Sequence, residues 1–77
     1  MKTLRVYSAI VTAVKSGTLL EPFTANDFRA ACPGFSHGTN TAFLDKHVKG
    51  NPDGNSELFE RESPGCFKCL RPFRYGL

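Results

Sequence analysis

Long hydrophobic runs are missing from this chain. The longest apolar stretch, Ala9 to Val14, is six residues with Thr12 inside it, far short of the ~18 that a membrane span needs. A membrane function is therefore not expected. Lys2 and Arg5 are followed by a helix-like pattern with no small-residue cleavage site, so no secretory signal is expected either. Cysteine is scarce, with three residues in 77. An odd count without a leader argues against a disulfide framework and for a reducing, cytoplasmic setting. Internal repeats and low-complexity segments are also lacking. Charge is modest: ten Lys and Arg against seven Asp and Glu leave +3, which suits a polyanion partner without demanding one.

What is present is an ordinary globular composition. The hydrophobic share of 40% argues against intrinsic disorder. A chain of this length forms one domain, 1–77, with one modest core.

The first element spans about 3–16. Leu4, Tyr7, Ile10, Val11 and Val14 make a helical apolar stripe, Thr3 is a candidate N-cap, and Gly17 stands where a left-handed cap belongs. Arg5, Ser8, Thr12 and Lys15 fall on the opposite face. A short connector, 18–22, carries Pro22, which limits any strand there to an edge stub. The second helix spans about 24–32. Thr24 is its N-cap, Asp27 is the capping-box acid, and Phe23 with Phe28 forms a hydrophobic staple. Pro33 and Gly34 stop it.

A third helix is expected over 37–48, capped by Ser36 or by Thr39. It places Phe43, Leu44, His47 and Val48 on one side and Gly38, Thr39, Ala42, Lys46 and Lys49 on the other. Residues 50–56 read as a loop with a Pro-Asp-Gly turn. A hairpin near 57–71 follows, with strands at 57–62 and 66–70 around Ser63-Pro64-Gly65. The expected core is Tyr7, Ile10, Val11, Val14, Phe28, Phe43, Leu44 and Phe67. The faces of Leu58 and Phe59 stay open, because alternation is imperfect there.

This order predicts an α+β fold: a three-helix helix-turn-helix with a C-terminal β-hairpin as a wing. Gly50-Asn51-Pro52, Asn55-Ser56-Glu57-Leu58-Phe59-Glu60-Arg61 and Pro64-Gly65-Cys66-Phe67 extend that likeness. With the element order, these segments resemble the winged helix-turn-helix superfamily, a group of small, largely uncharacterised bacterial winged-helix domains within it, and more distantly the HARE helix-turn-helix domains. The resemblance covers most of the chain but rests on turn and packing residues. It implies DNA binding through the third helix and carries over no catalytic or metal-binding residue.

On that helix, His37, Thr39 and Lys46 are candidates for bases or phosphates, and Lys49 for phosphate. Asp45 lies near the same face and would repel phosphate. On or after the wing, Arg61, Lys68, Arg71 and Arg74 are candidates for phosphate contact, with Phe73 and Tyr75 interleaved. Glu57, Glu60 and Glu62 are positioned to neutralise them across the hairpin.

Cys66 and Cys69 form a lone CxxC. Residues three apart on a strand face opposite ways, so the cysteines read as packing residues and no metal site is expected. His47 falls on the apolar side of the third helix and reads as a hydrogen-bonded, half-buried imidazole. Neither an enzyme activity nor a cofactor is expected. The partner is expected to be duplex DNA; the competing expectation is a winged-helix module that binds a protein instead.

Overall fold

Thr24 organises the entry into the middle of the chain. Its hydroxyl accepts from the Asp27 N–H at 3.1 Å, and the Asp27 carboxylate accepts from the Thr24 N–H at 3.0 Å. Two donors that lack intrahelical partners are thereby satisfied reciprocally. Phe23 and Phe28 bracket this box, both fully buried.

The computed structural model describes residues 2–35 and 37–77, apart from the side chains of Lys2, His37, Asn40 and Thr41. Its elements run α1 (Lys2–Ser16), α2 (Ala25–Ala31), α3 (His37–Lys46), β1 (Phe59–Ser63) and β2 (Cys66–Cys69). The protein is a mixed α+β fold of three helices and a two-stranded antiparallel hairpin. Ser36, an expected cap of α3, lies outside the described residues. No helix among the described residues is long and apolar enough to cross a membrane.

The third helix is shorter than expected, ending at Lys46 instead of Val48. A strand-like pairing replaces its last turn. Val48 makes a parallel bridge with Phe59. The His47 carbonyl accepts from the N–H groups of Leu58 (2.8 Å) and Phe59 (3.2 Å), and Lys49 donates to the Phe59 carbonyl at 2.7 Å. Gly50 then turns the chain with φ +81°, a conformation that costs glycine little. The first strand correspondingly begins at Phe59, not at Glu57. The Glu57 carboxylate instead accepts from the Gly50 N–H at 2.8 Å.

At bridge level the hairpin is wider than its two strands. The order across it is Val48, β1, β2, Phe23, since Phe23 and Phe67 exchange two backbone bonds of 2.8 Å. Phe59 stands opposite Cys69 and Arg61 opposite Phe67. These residues share the face turned to the helices, while Glu60, Glu62 and Lys68 lie on the other.

The core gathers Val6, Tyr7, Ile10 and Val11 from α1, Phe28 from α2, Phe43 and Leu44 from α3, and Leu58, Phe59, Phe67 and Cys69 from the hairpin region. Val14, expected inside, is only half-buried and packs against this cluster. Phe59 is its hub, with edge-to-face contacts to Tyr7 at 6.0 Å, Phe23 at 6.2 Å and Phe43 at 5.9 Å. Leu58 and Phe59 are both buried; Leu58 lies just before β1, where its N–H donates to the His47 carbonyl and its carbonyl accepts from the Leu70 N–H.

Candidate nucleic-acid interface

The buried side of α3 decides what its other side presents. Phe43, Leu44 and His47 are buried, and Val48 follows them inward just past the helix end, so Ala42, Asp45 and Lys46 face water. Lys49 is exposed just beyond the helix. Neither Lys46 nor Lys49 makes an ion pair among the described residues. Thr39 is half-buried and lines a groove of about 410 Å³ between the start of α1 and α3, with Thr3, Val6, Phe43 and His47. His37 opens α3, but its side chain lies outside the described residues.

The cations on and after the hairpin behave differently. Arg61 donates to Asp45 on α3 at 2.6 Å, and its guanidinium lies 5.1 Å from the centroid of Phe67. Lys68 pairs with Glu62 at 2.9 Å and Glu60 at 3.6 Å. Hydrogen bonding to Glu62, with the charges of Glu62 and Glu60, raises the Lys68 ammonium above its usual value. Arg71 reaches Glu21 through both terminal nitrogens, at 2.6 and 3.2 Å, and stacks on Phe73 at 4.3 Å. Arg74 is exposed. Its backbone N–H donates to the Tyr7 hydroxyl at 2.9 Å, and its Nε approaches the Glu57 carbonyl at 3.4 Å.

The eight candidates therefore do not form one stripe. Lys46, Lys49 and Arg61 meet in a groove of about 590 Å³ between the end of α3, the following loop and β1, together with Asp45 and Asp53. Lys68 lies on the outer face of the hairpin. Arg71 lies by β2, at the edge opposite Val48. Arg74 sits across the 56–58 segment from His47.

Three residues matter that the sequence did not single out for these roles. Glu21 accepts from the Cys69 N–H at 2.6 Å as well as from Arg71. Burial pushes its carboxyl up. The hydrogen bonds from Arg71 and the Cys69 N–H, with the nearby positive charges, outweigh this and leave it below the usual 4.5. Asp45, expected to repel phosphate, also pairs with Arg61. His47 is fully buried and latches α3 to the loop: its Nδ1 donates to the Ser56 carbonyl at 2.9 Å, while Nε2 has no partner among the described residues. The pairing of Lys68 with Glu60 and Glu62 was readable in advance, from their opposed positions on a hairpin, and so was a hydrogen-bonded His47, which is more deeply buried than the expected half-buried imidazole.

The cysteines occupy a strand. Cys69 is buried beside Phe59, whereas Cys66 is half-buried on the other face. Burial, and then the Glu21 charge, push the Cys69 thiol up to about 12. All three thiols are free, and no cluster of three His, Cys, Asp or Glu side chains among the described residues is placed to hold a metal.

Comparison with known proteins finds no matching family model, no similar curated protein and no similar solved structure.

Proposed function

We propose that this protein is a winged helix-turn-helix domain that binds duplex DNA non-covalently, without enzymatic activity, in the cytoplasm. The observation that carries the reading is the outward side of α3, where Lys46 and the adjacent Lys49 are exposed and free of ion pairs among the described residues. Support also comes from the brace between the end of that helix and the hairpin, made by the His47 carbonyl with the N–H groups of Leu58 and Phe59. Helix and wing would then meet a duplex as one rigid body.

In this reading Lys46, Lys49 and Arg74 neutralise phosphates, and Thr39 and His37 lie toward base edges at the start of α3. Arg61, Lys68 and Arg71 contribute less, because each is already compensated by a carboxylate. The reading is tested by fluorescence anisotropy titration of random and selected duplexes. Lys46→Ala with Lys49→Ala should weaken binding to every sequence, whereas Thr39→Ala should change which sequences bind. The opposite assignment of effects would refute the placement of α3.

A second reading has its own observation. Leu4 (42% exposed), Tyr75 (53%) and Leu77 (37%) are large apolar side chains left in water, and Tyr75 stands edge-on to Tyr7, one helical turn from Leu4. That surface suits a protein partner. It becomes the better reading if no duplex is bound more tightly than about 10⁻⁴ M at low salt.

A further inference from the structure

The groove between the end of α3 and β1 holds three cations, Lys46, Lys49 and Arg61, and two carboxylates, Asp45 and Asp53. Among the described residues one ion pair closes within it, Arg61 to Asp45 at 2.6 Å, and both side chains remain well exposed, at 46% and 66%. Such a pair is worth only about 0–1 kcal/mol, so it contributes little to folding. Its geometry matters more than its energy. Asp45 projects from the helix that carries Lys46, and Arg61 projects from the strand that faces it. The Arg61 guanidinium also lies over the Phe67 ring, 5.1 Å from its centroid.

We infer that Asp45 is an internal competitor for the nucleic-acid phosphate, withholding Arg61 from the groove and setting an upper limit on affinity. The inference rests on the proposed DNA-binding role of α3 and goes beyond it by naming the phosphate path and the residue that restrains it. A phosphodiester lying along Lys46 and Lys49 brings its charge close to Asp45. The carboxylate acts against binding twice: it repels that phosphate, and it occupies the one arginine in reach. Removing its charge relieves the repulsion and frees Arg61 for one additional phosphate contact.

The experiment compares the full chain with its Asp45→Asn, Arg61→Gln and doubly substituted forms. Each is titrated against a random fluorescent duplex by anisotropy between 50 and 200 mM salt, the range over which phosphate contacts change affinity by orders of magnitude. Thermal melts check that each variant folds. Asp45→Asn should bind about five- to tenfold more tightly, as expected for one like charge removed near a phosphate at high effective dielectric. Its plot of log K against log salt should be steeper by about 0.9, one further contact. Arg61→Gln, which leaves Asp45 uncompensated, should bind more weakly than wild type. The double variant should return to near wild-type affinity and slope.

Binding by the wild type with unchanged affinity in Asp45→Asn would overturn the inference alone and leave the DNA-binding reading intact. A gain in affinity with no change of slope would also overturn it, because Arg61 would not be the responding group. No binding by any form would sink both. Binding by Asp45→Asn where the wild type shows none would support the inference in its strongest form.

Discussion

Glu21→Ala should be among the most damaging single changes outside the aromatic core. The carboxylate accepts from the Cys69 N–H at 2.6 Å and from Arg71 at 2.6 and 3.2 Å. Cys69 is 1% exposed, so removing the acceptor strands a buried donor, at a cost of about 1–3 kcal/mol. The Arg71 pair adds at most about 1 kcal/mol, because the arginine is half in water. Together these give roughly 1–4 kcal/mol, and in a domain of this size each kcal/mol lowers Tm by about 4–8 °C. Glu21→Gln keeps an amide oxygen for the Cys69 N–H and loses only the charge, so it should cost about 1 kcal/mol or less.

Because the folded-state carboxyl sits below its usual 4.5, the charge stabilises the fold above that value. Its contribution is lost as pH falls through the lowered folded-state value. Urea titrations from pH 7 downward should therefore separate wild type from Glu21→Gln at pH 7 and narrow the gap as pH falls below 4.5. Equal losses for Ala and Gln at pH 7 would show that the N–H needs no partner and refute the reasoning.

Two further outcomes are expected. Phe59→Ala removes a fully buried ring that contacts three other rings and should cost about 3–5 kcal/mol in denaturant titration; a loss below ~1 kcal/mol would mean that Phe59 is not the hub. Burial disfavours the Cys69 thiolate and pushes the thiol from 9.0 up to about 12, so above about pH 9 the unfolded chain ionises first and the fold loses stability as pH rises toward 12. Stability should fall between pH 9 and 11, and Cys69 should resist alkylation in the native state. A flat profile with rapid labelling of Cys69 would contradict its burial.

Much of the fold was legible because its signals are local. The Thr24–Asp27 box, the Phe23–Phe28 staple and the Pro64-Gly65 turn depend on neighbours in sequence and lie where the pattern placed them, although Ser63, expected in the turn, ends β1 opposite Cys66. The end of α3 was not legible. Helical periodicity continues through Val48, and only the distant Phe59 turns His47 and Val48 into strand partners.

The interface was less legible still, because charge compensation here is long-range. Glu21 and Arg71 are separated by 50 positions, and Asp45 and Arg61 by 16. A list of basic residues therefore overstates the positive surface. Arg61, Lys68 and Arg71 count as cations in the composition but are paired in the fold.

The most direct test of the DNA-binding claim is the salt dependence of binding to a random duplex. Lys46, Lys49 and Arg74 at about −0.9 per contact predict a slope of log K against log salt near −2.7, flattening to about −0.9 when Lys46 and Lys49 are both replaced by Ala. An unchanged slope in that double variant, or wild-type binding no tighter than about 10⁻⁴ M at low salt, would contradict the account.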